Sequence, residues 1–461
     1  MKRNKRFRAA VPVLAAACAI AAVSMIQAQP DETVFIKAGT IFTADKGRII
    51  SGGGILVRGN KIAEVQDKIK LPKGARIVDL GDSTIIPGMI DAFSHLGFHQ
   101  EDYNVQVEPP APWRALTGAI FRMMMGSAEE VPRIAPRMET KFKASEAVFY
   151  GDESLRAVLA EGILSALIAI PSDSLTGGTA FVANFADSSS PAAMVAADPA
   201  AVVFSFSGDR NVTRRYGDLQ KAFLDAREYR KRFEKYQKDL KKYQEQEKAK
   251  EEKGKDEKAK EKAPPAAPAP AAKEIPEPKE PRKDENQEMI LRILDRKVPA
   301  LVRATRENEI LAALKIKDEF GIRLVIVGGQ EAYKIPAKIK AGNVSVIVGP
   351  EVVVERKGDK INVIQELRAH GIPAALGSFS PSGAAFLPFG LSYAIQYGLS
   401  PADALDSVTA QAAGILGLDD RKGSIAAGKD ADFVVLDRSP FDLAAKVKEI
   451  YFRGKKVHPH E

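Results

Sequence analysis

The chain has 461 residues, 45% of them hydrophobic and 28% charged, which is ordinary for a globular protein and ample for one large domain with a smaller companion. The net charge of +8 falls to +3 once Lys2, Arg3, Lys5, Arg6 and Arg8 of the first segment are set aside. That is too little to argue for a nucleic-acid partner.

Residues 1–28 join this basic stretch to an apolar run from Ala9 to Ile26 and end in Gln27-Ala28. The pattern reads as a secretory signal cut after Ala28, which places the rest in the periplasm. The apolar run is long for such a signal, so an uncleaved membrane anchor stays open. Cys18 is the single cysteine. With the segment removed, disulfides, cysteine nucleophiles and Cys-ligated metals are excluded.

From Thr33 to about residue 84 the sequence reads as short strands: Val34 to Thr43, Gly52 to Arg58, Lys61 to Val65 and Ala75 to Leu80. Turn glycines and a hairpin at Arg58-Gly59-Asn60-Lys61 predict an antiparallel unit. Residues 85–420 then alternate strands with helices, as parallel βα units do. Candidate strands are Ile85 to Ile90, Ile163 to Ile170, Ala201 to Ser207, Ala300 to Ala304, Arg323 to Val327, Val344 to Val348 and Ile372 to Leu376. Glu307 to Phe320 and Ile361 to His370 carry helical spacing, and Ser400-Pro401-Ala402-Asp403 has the chemistry of a helix start.

An insertion at about 225–285 interrupts the alternation. Arg227 to Lys250 reads as a charged helix with Tyr229, Phe233, Tyr236, Leu240 and Tyr243 on one stripe. Ala263-Pro264-Pro265 to Pro270 lacks the apolar content to fold alone. Either the insertion is a docking arm, or it is a solvated excursion packed on its own barrel. Residues 421–461 return to strand-like patterns at Ala431 to Asp437 and Val447 to Val457.

One stretch organises the rest: Ile85-Ile86-Pro87-Gly88-Met89-Ile90-Asp91-Ala92-Phe93-Ser94-His95-Leu96-Gly97. It resembles the first barrel strand of the amidohydrolase superfamily, in its imidazolonepropionase-like branch, which reads Pro-Gly-x-Ile-Asp-x-His-x-His. Ala375 to Pro381 resembles the family's Leu-Gly-Ser-Asp-x-Pro, and Gly423 to Asp432 resembles its return into a terminal sandwich. The resemblance implies a distorted (β/α)8 TIM-type barrel plus a small β-sandwich built from both chain ends. It also implies metal-dependent hydrolysis of carbon–nitrogen bonds in amides or dipeptides. In that chemistry a divalent metal such as zinc activates water, and an aspartate moves the proton.

Laid on those motifs, the ligand positions are mostly substituted. Phe93 stands for the first histidine, while His95 keeps the second. Arg303 and Thr305 fill the places of a His-Ala-His-Arg strand, Gly328 that of a further histidine, and Phe379 that of the catalytic aspartate. The lysine position aligns loosely with Asn184. Of the five histidines, His458 and His460 lie in the tail and His370 precedes a strand, at the wrong face of a barrel. A phenyl ring cannot ligate a metal where imidazole can.

The residues therefore predict a non-catalytic member that takes a small-molecule ligand, or pairs with an active homologue or a second copy. Arg303, Thr305 and Ser94 are expected to form an anion-binding pocket, with no cofactor and His95 a vestigial metal ligand. Against this, Arg303 could pair with Asp91, and His95 could be satisfied by Asp91 or the backbone. The catalytic alternative is a rearranged mononuclear metal site on His95, with His99 and the Glu101-Asp102 loop.

Overall fold

The computed structural model describes residues 32–68, 70, 73–98, 139–172, 174–187, 189–207, 211–259, 276–381 and 383–457. Residues 1–31, on which the expected signal falls, His99, Glu101, Asp102, the Ala/Pro-rich run, His458 and His460 lie outside the described residues.

Eight strands form the central sheet: β1 (Met89–Ser94), β2 (Ile163–Ile168), β3 (Thr176–Asn184), β4 (Val195–Ser205), β5 (Ala300–Ala304), β6 (Leu324–Gly328), β7 (Ser345–Val348) and β8 (Ala374–Leu376). Neighbours pair in chain order, and the sheet curls so that β8 meets β1. This is the distorted TIM-type barrel, departing from the all-parallel expectation at one strand. β3 runs antiparallel to both β2 and β4, where the sequence reading had placed no strand. Its glycines Gly177-Gly178 and the small Ala180 and Ala183 dilute the apolar alternation by which strands are recognised.

The predicted strand Ile85 to Ile90 is two strands. Thr84–Pro87 belongs to a terminal sheet and β1 begins at Met89. The break falls at Gly88, where a Cβ would come within 2.6 Å of Leu164 Cδ2, so only glycine lets the chain pass from one sheet to the other.

The barrel interior is filled by Ile90, Leu167, Val182, Val203, Leu301, Val325 and Ile347. A short helix at Ala410–Leu416 closes its lower end with Ala412, Ala413 and Ile415. The terminal sandwich has one sheet of N-terminal strands only, and a six-stranded sheet in which Thr84–Pro87 pairs with Phe433–Leu436. Val34, Ile55 and Ile62 of the first sheet share a core with Ile85, Phe433 and Tyr451 of the second.

The helix of the insertion, α1, spans Val212–Ala259, longer than its sequence pattern indicated. At 1.5 Å per residue its 48 residues extend roughly 70 Å. Among its described side chains the last buried one is Tyr229, which packs against α2 (Glu285–Leu294), while Phe223 stacks on Phe320 of α3 (Glu307–Phe320) at 4.9 Å. Tyr229 Oη donates to Glu288 at 2.7 Å. Phe233, Tyr236, Leu240 and Tyr243 further along are half-buried. Among the described residues, no helix is long and apolar enough to cross a membrane.

Candidate functional site

The upper end of the barrel, where the parallel strands end, gathers most of the residues singled out by sequence. Phe93 is fully buried, its ring 5.0 Å from Phe379 and 5.3 Å from the His95 imidazole, edge-on to the latter at 82°. Three aromatic rings thus cap the interior where the resemblance calls for two histidines and an aspartate. Burying Phe93 is worth about 2–3 kcal/mol of apolar transfer.

Phe379 sits at φ +57°, in the left-handed region that costs a residue with a Cβ about 1–2 kcal/mol. Its ring lies across two glycines: a Cβ on Gly349 would come within 2.6 Å of it and one on Gly377 within 3.0 Å. The seat and the ring fit one another.

His95 is 4% exposed, and its Nδ1 lies 2.7 Å from Ala169 O. With a carbonyl as partner Nδ1 carries the proton, so Nε2 presents a lone pair. Burial, and then the nearby positive charge of Arg303, lower the imidazole pKa to about 4. The ring is satisfied by backbone rather than by Asp91.

Asp91 is also fully buried. Its Oδ1 accepts from Phe93 N at 3.2 Å and Ser378 N at 2.9 Å, and Oδ2 has no hydrogen-bond partner. Burial outweighs these bonds and pushes the carboxyl up to about 7. Arg303 does not enter the interactions that set this value, which leaves the pairing of Arg303 with Asp91 without support.

Arg303, at the penultimate position of β5, donates through Nη1 to Ser172 O at 2.9 Å. Thr305 Oγ1 lies 3.3 Å from Ser207 Oγ, and Ser207 Oγ donates to Glu309 at 2.9 Å. Glu309, 3% exposed, also accepts from Thr305 N and Arg306 N. It is consumed in capping α3.

Ser94 does not join this group by hydrogen bonding: it is fully buried and its Oγ accepts from Leu96 N at 3.0 Å in a local turn. Side chains alternate between faces along a strand, so Ser94 turns away from the side taken by Phe93 and His95. Asn184 is at the opposite end of the barrel, because β3 descends, and pairs with Ser165 at 2.9 Å. Gly328 ends β6 beside Thr305 Oγ1 and Gln330 Oε1. His370 is exposed, its Nδ1 on Glu366 O.

Sequence reasoning missed Ser207, Ser172, Ala169 and Glu309. Only Glu309 had a local signal, as an acid at the third position of a helix.

Among the described residues, the donors gathered here do not make up a site for a divalent ion. Metal sites need three or more ligands with satisfied outer partners, and among the described residues no three His, Cys, Asp or Glu side chains gather to hold one. His95 supplies one nitrogen, next to a guanidinium that repels a cation.

Comparison with known proteins places this arrangement in context. The family model described as "Amidohydrolase family" matches residues 341–458. Imidazolonepropionase of Shewanella baltica is 34% identical over 108 residues, covering 21% of this chain and 26% of that protein. Imidazolonepropionase of Thermoplasma volcanium is 34% identical over 96 residues, 19% of this chain and 24% of that one. The matched stretch is thus about a quarter of either relative. The solved structure of an amidohydrolase from Thermotoga maritima MSB8 superposes with a TM-score of 0.66 at 27% identity, covering 92% of this chain and 99% of the other.

Proposed function

We infer that this chain, which belongs to the amidohydrolase superfamily, is a member that does not run metal-dependent hydrolysis and acts instead as a binding or partner protein. The observation that carries this reading is the packing of Phe93 and Phe379 against each other and of Phe93 against His95. Two non-ligating rings take ligand and proton-shuttle positions, and the glycines beneath Phe379 accommodate its ring. Arg303 places a fixed positive charge near His95, where the family would hold a metal.

The protein is exported by its first 28 residues and works in the periplasm. There it takes a small-molecule ligand, or assembles with an active homologue or a second copy of itself. Fold alone does not dictate chemistry, and substitutions at several positions together remove the family reaction more thoroughly than any one would.

A second reading, a hydrolase with one metal on His95, is favoured by a single feature. Nδ1 bonded to Ala169 O leaves Nε2 in the form that ligates metals. The cost of a dication beside Arg303 ranks it below the first.

The test is a hydrolysis screen of dipeptides, N-acyl amino acids and cyclic amides, with zinc, manganese or no added metal. Turnover should stay at the level of the His95→Ala variant throughout. Zinc-dependent turnover that His95→Ala abolishes would install the second reading.

A further inference from the structure

Where the terminal sandwich meets the barrel, the turn between its strands Thr40–Phe42 and Ile49–Ser51 faces two helices, Val363–Ala369 and Pro401–Ser407. Between them lies a cavity of about 260 Å³, none of whose lining residues belongs to the barrel mouth. The helix wall is charged. Arg368 Nη2 lies 2.5 Å from Asp403 Oδ1 and 2.8 Å from Asp406 Oδ2. Two carboxylates share one guanidinium, which leaves this wall with one negative charge over. Asp403 Oδ2 is taken by the Ser400 hydroxyl at 2.7 Å. Asp406 Oδ1 accepts no hydrogen bond from a described residue, and the Asp406 side chain is 20% exposed.

The turn supplies the facing wall. Thr43 Oγ1 donates to Arg48 O at 2.7 Å and accepts from Asp45 N at 3.1 Å, and Arg48 N donates to Asp45 O at 3.0 Å. These bonds hold the backbone that carries Lys46. Lys46 is exposed and has no ion-pair or hydrogen-bond partner among the described residues. Arg48 also lines the cavity, but its guanidinium is paired with Asp67. Apolar surface lies beside these charges. Ile49 is 52% exposed, and Phe42, edge-on to Phe441 at 5.7 Å, is half-buried.

We propose that this cavity binds a free α-amino acid with an apolar side chain. The ammonium meets Asp406 Oδ1, the carboxylate meets Lys46 on its flexible stem, and the side chain covers Ile49 and Phe42. A lone carboxylate would face the uncompensated acid, and a lone amine would leave Lys46 without a partner, so a zwitterion suits both walls. The volume falls below the roughly 300–1,000 Å³ of sites for drug-sized ligands, which restricts the occupant to something the size of an amino acid. This inference goes beyond the non-catalytic reading and does not depend on it.

The test is isothermal calorimetry on the mature chain with L-leucine and L-phenylalanine. Each is accompanied by two truncated analogues, the amine that lacks the carboxylate and the acid that lacks the ammonium. At least one amino acid should bind with Kd below about 1 mM. Each of its truncated analogues should bind at least about tenfold more weakly. Lys46→Gln, at a residue with no described partner to lose, should weaken the amino acid at least about fivefold without weakening the amine. Asp406→Asn should weaken both. Because that change also loosens Arg368, its unfolding temperature is measured alongside, and Lys46→Gln decides the matter if the temperature falls.

Three results would each overturn the proposal: no binding of either amino acid, binding undiminished in Lys46→Gln, or a truncated analogue that binds as tightly as its parent. All three leave the reading of the barrel mouth intact, since that reading is tested by turnover and metal content.

Discussion

Ser378 N donates to Asp91 Oδ1 at 2.9 Å, joining the loop after the last barrel strand to the first. Phe379 N on Phe93 O at 3.0 Å and His95 N on Ser380 O at 3.3 Å complete the seam. The aspartate that accompanies the metal-binding histidines in the family motif here serves to close the barrel. Burial of the carboxyl outweighs the hydrogen bonds it accepts from Ser378 and Phe93 and favours its protonated form.

That gives a pH signature. The folded-state pKa of Asp91, about 7, lies above its unfolded value. Its stabilising contribution is therefore complete below about pH 4 and lost as pH rises to about 7, at roughly 1.4 kcal/mol per unit. Asp91→Asn keeps an acceptor for Ser378 N and does not titrate. Chemical denaturation should show the variant gaining on wild type by about 2–3 kcal/mol between pH 5 and pH 8; a constant difference would refute the assignment.

His95 works in the opposite direction. Its folded pKa is lowered to about 4, so its contribution is present above pH 6.5 and is lost as pH falls toward 4. The two groups offset each other in a wild-type stability curve, and His95 needs its own probe. In 15N-detected NMR its ring should remain neutral at pH 5.5, protonated at Nδ1. A midpoint near 6.5 would contradict the buried placement.

The sandwich return is locked by an ion pair. Lys422 and Asp432 are 7% and 6% exposed and hydrogen-bonded, and Asp432 Oδ1 also accepts from Arg453 N at 2.7 Å. Lys422→Ala strands a buried carboxylate and should cost about 3–5 kcal/mol in urea unfolding. Asp432→Asn with Lys422→Met together should cost less than the single change.

Along α1, contribution should fall off past Tyr229. Phe223→Ala opens a cavity between Phe204 and Phe320 and is expected to cost about 3–5 kcal/mol. Tyr243→Ala should change stability by less than about 1 kcal/mol. Comparable losses would mean that the distal stripe is covered by packing as firm as that at its base.

Much of the architecture was legible because its signals are local. Pro87-Gly88, the helix Glu307 to Phe320 and the Gly423 to Asp432 return each carry their own turn or periodicity. β3 was not legible, since two glycines and two alanines leave little apolar contrast, and its reversed direction depends on pairing that no local pattern encodes. At the site, Phe93, His95, Arg303, Thr305 and Phe379 were singled out by the resemblance of their stretches to the family's motifs. The partners were not: Ala169 and Ser172 act through backbone carbonyls, which no side-chain pattern reveals, and Ser207 meets Thr305 only through a contact 98 residues apart in sequence. Ser94 was misleading because one step along a strand reverses the face of the sheet.

The most direct test of the central claim is metal content by mass spectrometry. The mature chain would be purified without chelators and assayed before and after incubation with zinc, alongside His95→Ala. Metal at background in both proteins is the expected result. Near-stoichiometric zinc in the wild type, lost in His95→Ala, would contradict the account and return the barrel mouth to metal-dependent chemistry.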